Sequence, residues 1–342
     1  MTDASKGDRP NTGGYAPSKL PSTNPTFSLP PRPLAILNYF FGWGGYLFPW
    51  QAIYMLAATA IWWFFIPGLE TTRTFEFGWI AKLFVLNLVI IVLWMSILHW
   101  RLHVKRHQGT KYKFNMRWPK DTSTFLFGSQ LWDNVFWTIA SAVPIWTAYL
   151  AGSLWLMANG WIPYLDVREH PIYLGIIMLG IYIWQEIHFF AIHRLIHWPP
   201  LYKYVHSIHH KNSNPIPWSG LAMHPVEHLL YYSSVLIHWI IPSNPLVLTY
   251  HLLNMSVSAG TDHTGFAKVV FKGDGTSGEA EVEMDLSTYI HYLHHRFHEV
   301  NYGGNGSFPL DKWAGTFHDG SKEAHERMMA RFNRNAPPPA GL

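Results

Sequence analysis

Histidine is the commonest side-chain ligand for metal ions, and fifteen of the 21 histidines in this chain fall between positions 188 and 298. Their spacing is more telling than their number. His193 and His197 stand at i and i+4, His206, His209 and His210 at i, i+3 and i+4, and His224 and His228 again at i and i+4. His291, His294 and His295 repeat the triplet, and His263 stands alone in "TDHTG". Positions three and four apart share one face of a helix, so each set can aim several imidazoles at one ion without backbone strain. The four sets hold ten histidines, more than one tetrahedral ion can use and about right for two.

Other histidines read differently. His99, His103 and His107 follow a basic stripe, while His238 and His251 sit in apolar sequence where core roles are expected. His188, His298, His318 and His325 remain peripheral candidates. The chain has no cysteine, which removes disulfides, thiolate nucleophiles and sulfur-ligated clusters. Any metal must therefore be held by nitrogen or oxygen. A zinc hydrolase would use three ligands and an open position, whereas two ions in a nitrogen-rich cage suit iron and dioxygen.

These side chains need elements to hold them. Of the residues 49% are hydrophobic and only 13% charged, against about 25% charged in soluble domains, which points to lipid contact. Four apolar stretches approach the roughly 20 residues of a membrane helix: 46–69, 79–98, 135–157 and 171–192. A fifth, 229–258, is broken by "PSNP" at 242–245 and is expected to form a re-entrant or packed helical hairpin. The loop after the second stretch holds Arg101, Lys105, Arg106, Lys111, Lys113, Arg117 and Lys120, whereas 70–78 and 158–170 carry one arginine each. By the positive-inside rule this puts both termini, the 99–132 loop and the histidine clusters in the cytoplasm. The expected fold is an all-α integral membrane protein with about four transmembrane helices, the hairpin and a cytosolic, histidine-rich helical cap.

Four regions follow: a disordered or peripheral tail over 1–33, transmembrane helices and basic loop over 34–170, a catalytic domain over 171–320, and a C-terminal tail over 321–342. "GDGTSG" at 273–278 fits a GxGxxG pattern outside any βαβ context and is read as a loop. "NGS" at 305–307 is discounted as a glycosylation site because it is expected to be cytosolic.

At "HRLIH" (193–197), "HSIHH" (206–210), "HPVEH" (224–228), "HYLHH" (291–295), "EVNYGG" (299–304) and "PLDKWAGTFHDG" (309–320), the sequence resembles the fatty acid hydroxylase and sterol desaturase superfamily of membrane di-iron enzymes. The resemblance covers roughly 175–320. It implies a four-helix membrane base under a cytosolic cap, with His193, His197, His206, His209, His210, His291, His294 and His295 as ligands of two iron ions. His263 stands at an isolated ligand position of the family, and His224 begins a His-Pro-x-Glu stretch, followed directly by His228, that ligates or supports the site. Glu186, where members commonly have Asp, is the candidate supporting carboxylate. The segment between His263 and His291 is long, acidic in its second half, and expected to cover the substrate entrance.

The expected activity is hydroxylation or desaturation of an unactivated C–H bond in a lipid, sterol or other membrane-soluble substrate. O2 is the co-substrate, and zinc is the ion that purification could substitute for iron. Electrons would come from an external ferredoxin-like or cytochrome-like donor docking on 101–120 or 322–334, stretches that equally suit anionic lipid headgroups. No nucleic-acid partner is expected, and a bacterial inner membrane is the expected location. The competing class is a non-catalytic metal-binding transporter or sensor, which would need ionisable residues at mid-membrane depth.

Overall fold

The computed structural model describes residues 14–17, 24–272, 282–304 and 308–335. The expected loop at 273–278, the "NGS" stretch and the "APPPAGL" ending lie outside the described residues, as does most of the expected N-terminal tail. Within that tail, Tyr15 donates its backbone N–H to the Lys113 carbonyl at 2.7 Å and packs edge-on against Tyr112.

After a short helix, α1 (Pro33–Phe41), come α2 (Trp50–Phe65), α3 (Phe77–Val104), α4 (Gln130–Ala158) and α5 (Pro171–Ile196). Helices α3, α4 and α5 are long and apolar enough to cross a membrane. Only 22% of the apolar window of α3 and 17% of that of α5 are buried, so their outer faces need lipid. The first expected span is shorter than its apolar stretch. Pro49 and Pro67 flank α2, and its 16 residues rise about 24 Å at 1.5 Å per residue.

The broken apolar stretch forms the packed hairpin. Helix α7 (Pro225–Tyr232) follows a segment of short turns over 199–210, in which α6 (Ser207–His210) is the last. A tight turn over Ser233–Trp239 stretches it onward, and α8 (Pro245–Asp262) returns. Asn244 caps α8, its Oδ1 accepting from the Leu246 N–H at 2.9 Å, and Pro245 supplies a first-turn residue that needs no donor. The hairpin tip is tied to the loop after α4: Leu165 donates N–H to Ser243, and Asn244 Nδ2 donates to Leu165, both at 2.8 Å. At the other end α8 delivers His263. Each half was expected to be too short to span, yet the pair reaches from that loop to the histidines because it is sheathed by α2, α3 and α5 rather than by lipid. Tyr250, Leu252 and Leu248 are fully buried, packed with Tyr54, Leu83, Ile91, Trp146 and Leu150.

The cap holds α9 (Tyr289–Phe297), α10 (Leu310–Trp313) and α11 (Lys322–Asn335). It also holds one antiparallel ladder, β1 (Lys268–Lys272) against β2 (Val282–Asp285), with Lys268 opposite Asp285, absent from the sequence expectation. The basic loop after α3 lies on this cap. Phe114 donates N–H to Gly265 and packs on Tyr289 and Tyr292. Basic loop and histidines therefore share one face of the molecule.

Candidate metal centre

Four pieces of chain converge where α5 ends. The last turns of α5 present His193 and His197. "WPP" breaks the chain at 198–200, and a wide π-type turn over Tyr202–His206 follows, a local insertion common at functional sites. That turn sets His206 and His210 on one side and His209 on the other. Helix α9 presents His291, His294 and His295, and the end of α8 supplies His263.

The result is two buried groups: His193, His197, His206, His210 and His294 in one, and His209, His263, His291 and His295 in the other, with ligand atoms in each lying within 4.8 Å of one another. Spacing alone left open how the triplets share two ions. Each triplet divides between the groups, because i and i+4 point one way and i+3 is rotated off that line.

The nitrogen chemistry fits metal ions. His193 and His294 hold their Nδ1 protons on the carbonyls of Tyr302 and Val300 at 2.8 and 2.6 Å, and His263 holds its own on Ala259 at 2.7 Å. Their Nε2 atoms are therefore lone pairs facing inward. His263 Nε2 meets the Nε2 atoms of His209, His291 and His295 at 3.2, 3.0 and 2.9 Å. One lone pair accepts one N–H well, so three such contacts call for a cation. In the first group His197, His210 and His294 stand 3.0 to 3.3 Å apart in a triangle. Nitrogens bound about 2.1 Å from an ion lie about 3.0 Å apart at right angles and about 3.4 Å apart in a tetrahedron.

Residues 178–316 match the family described as Fatty acid hydroxylase, and all nine grouped histidines lie in that stretch. The Delta(7)-sterol 5(6)-desaturase ERG3B of Gibberella zeae is 33% identical over 132 residues, 38% of this chain and 38% of its own. The Delta(7)-sterol 5(6)-desaturase erg3C of Aspergillus fumigatus is 34% identical over 157 residues, 42% of this chain and 46% of its own. Methylsterol monooxygenase 1 of Rattus norvegicus is 24% identical over 164 residues, 46% of this chain and 51% of its own. The likeness to the fatty acid hydroxylase and sterol desaturase superfamily is carried by residues 178–316, less than half of the chain. The chain spans about half or less of the length of these curated relatives, and no solved structure matches it.

Within this matched stretch, two expected ligands stand apart. His224 and His228 lie outside both groups. His224 is spent on capping α7, its Nδ1 accepting from the Val226 N–H at 3.1 Å, and His228 pairs through Nδ1 with Ser141 Oγ at 2.8 Å. Both belong to the first turn of α7, whose inward position is taken by Glu227. Burial in the bundle likewise holds His238 and His251 as a pair at 2.9 Å, with His251 also bonded to Ser234.

The sequence reading underweighted several supporting groups. Glu227, inside the His-Pro-x-Glu stretch, meets His206 Nδ1 at 2.7 Å. The "NYGG" turn supplies the Tyr302 carbonyl to His193. Asp311 anchors that turn by accepting from the N–H groups of Tyr302 and Gly303 and from Thr316 Oγ at 2.9, 2.7 and 2.6 Å. Asn301, at a positive φ of 55°, ties the same turn to His318. The motif residues were visible in "EVNYGG" and "PLDKWAGTF"; their hydrogen-bonding role was not.

Electrostatics keep the imidazoles neutral. Burial first, and then neighbouring imidazoles, hold His206, His209, His210, His291, His294 and His295 well below the usual histidine range. Burial brings His263 down to about 4. Burial also pushes the Glu227 carboxyl well up, so without metal the His206–Glu227 pair is neutral overall. A cation at His206 Nε2 would draw the shared proton onto Nδ1 and leave the negative charge on Glu227, as in carboxylate–histidine–metal triads.

Beside the groups lies a pocket walled by His193, His206, His209, His263 and His291 and by apolar residues including Phe189, Ile192, Met223 and Tyr231. Glu186 and Asp262 also line it. Glu186 is thus beside the site and not in either group.

Proposed function

We propose that this protein is a membrane-bound di-iron oxygenase that hydroxylates, or desaturates, a C–H bond of a lipid, sterol or related membrane-soluble molecule. The observation that carries the reading is the pair of buried, neutral histidine groups, nine residues in all, opening on a largely apolar cavity inside a membrane bundle. His193, His197, His206, His210 and His294 would hold one ion, and His209, His263, His291 and His295 the other. Iron in such a nitrogen-rich setting supplies the redox chemistry that activates O2.

The chain's own residues do the rest. The carbonyls of Tyr302, Val300 and Ala259 fix the imidazole tautomers. Glu227 balances charge at His206. Phe189, Ile192 and Met223 exclude water and hold an apolar substrate segment against the histidines. For hydroxylation the balance is substrate, O2, two electrons and two protons in, alcohol and water out. The electrons come from an external one-electron donor. The sterol-modifying names of the relatives support a lipid or sterol substrate, and the loop charges support cytoplasmic termini and a cytoplasmic metal face. The catalytic domain is taken as 171–320.

The deciding experiment is metal analysis of protein purified with its metal retained, alongside His209→Ala and His294→Ala. About two iron equivalents are expected from the two groups, with O2-dependent oxidation of extracted membrane lipids lost in both variants. Full activity with both histidines replaced would overturn the reading. Metal uptake into vesicles without O2 consumption would favour a transporter instead.

A further inference from the structure

The nine grouped histidines do not all face the cavity. His193, His206, His209, His263 and His291 line it, whereas His197, His210, His294 and His295 do not. What covers the first group on its other side is aromatic. The Tyr202 ring lies 5.4 Å from His197 and 5.6 Å from His210, and the His298 ring lies 4.6 Å from His210. Tyr202 Oη and His298 Nδ1 are joined at 2.9 Å. Both residues are half-exposed, so the pair bridges solvent and buried imidazoles. His298 has a φ of 66°, a conformation a residue with a β-carbon rarely adopts, held because the α9 terminus and the "EVNYGG" turn constrain it from both sides.

Exposed basic residues flank Tyr202 along the chain. Arg194 and Lys203 are exposed on either side of the "WPP" break. Arg331 reaches across from α11 to the carbonyls of Glu299 and Gly315. Glu299, half-exposed and bonded to Tyr302 Oη, is the carboxylate at the rim.

Resting on the di-iron reading above, we infer that Tyr202 and His298 form the electron port of the metal centre, and that the Arg194–Lys203 face docks an acidic one-electron carrier. Substrate and electrons then use opposite sides of the histidine cage, so the reductant need not share the apolar cavity. The chain, without cysteine, carries no iron–sulfur cluster of its own. Each encounter oxidises the carrier by one electron and reduces the centre by one; two encounters, with two protons, complete a turnover. A lipid headgroup would satisfy Arg194 and Lys203 but gives no reason for half-exposed rings packed at a tilt against His197 and His210. The docking face is distinct from the basic loop over 101–120, where Arg101 and Gln108 are bonded to β1 carbonyls and Lys113 is buried against the Asn115 and Arg117 carbonyls of its own loop.

The test uses the full chain, metal retained, in lipid nanodiscs. Binding of an acidic plant-type [2Fe–2S] ferredoxin and of cytochrome b5 is measured by thermophoresis at low and high salt. For at least one carrier, the double variant Arg194→Glu/Lys203→Glu should bind about tenfold or more weakly and lose salt dependence, as charge reversal at a steering patch does. The control Lys105→Glu/Arg106→Glu should stay within about twofold. Tyr202→Leu should bind the carrier normally but slow its reduction of the protein-bound iron, while reduction by dithionite is unchanged. The inference is overturned if neither carrier binds, if the control weakens binding and the Arg194/Lys203 variant does not, or if Tyr202→Leu accepts electrons at the normal rate. Absence of iron in the purified protein would sink the di-iron reading instead, since carrier binding is read without it.

Discussion

His263 and His224 were equally plausible ligands by residue type, and their surroundings separate them. His263 is buried with three imidazole nitrogens in reach, whereas His224 is half-exposed and occupied in capping a helix. His263→Ala should therefore remove metal from its group, and His224→Ala should leave metal content unchanged while weakening α7 by about 1 kcal/mol. Metal analysis and thermal unfolding of the two variants distinguish these outcomes. Glu227→Gln keeps an acceptor beside His206 but deletes the balancing charge; metal affinity should fall about 10- to 100-fold, measured by chelator competition. Acid acts through the same residues. The folded, metal-free protein holds His263 down at about 4 from an ordinary 6.5, so between those values the unfolded chain takes up protons that the folded chain refuses. Stability of the metal-free protein should consequently drop as pH falls from about 6.5 toward 4, with a declining melting temperature as the readout.

The elements act by holding carbonyls and helix ends in place. Asp311 fixes the turn whose Tyr302 carbonyl orients His193, and the Val300 carbonyl beside it orients His294. Asp311→Ala would leave two buried N–H groups and a hydroxyl without their acceptor, each worth about 1–3 kcal/mol when orphaned. The variant should melt at lower temperature and lose metal from the His193 group before the His263 group, which metal stoichiometry during mild chelation would reveal. Gly220 belongs to the same logic. A β-carbon there would stand 2.2 Å from the Ala259 carbonyl oxygen, the very atom that orients His263. Gly220→Ala should thus push α8 away and reduce the yield of metal-loaded protein, seen by size-exclusion chromatography and metal analysis together.

At the scale of the whole molecule the two groups are mechanically joined. Helix α9 gives His294 to one and His291 and His295 to the other, and the 206–210 turn divides in the same way. Withdrawing one ion loosens the helices that hold its neighbour. Chelator titration followed by native mass spectrometry should accordingly show two-metal and metal-free protein with little one-metal species. Two independent, equally populated one-metal forms would contradict this coupling.

The histidine spacing alone marked eight of the nine grouped residues, because i, i+3 and i+4 patterns report a shared helical face whatever the surrounding fold, while the isolated His263 was marked only by the family resemblance. The apolar runs and loop charges likewise marked the long helices and the shared face of loop and cap, since both follow from local hydropathy and short-range charge placement. Which histidine joins which group was decided only in three dimensions. It depends on the wide turn at 202–206 and on how α9 is rotated against α5, neither of which leaves a local signature. The same holds for His224 and His228, whose spacing is as good as that of His193 and His197. Helix entry gave one a cap to satisfy and gave the other a serine partner, turning Glu227 inward instead. Sequence period settles which side chains can meet; the packing angle between helices settles which of them do.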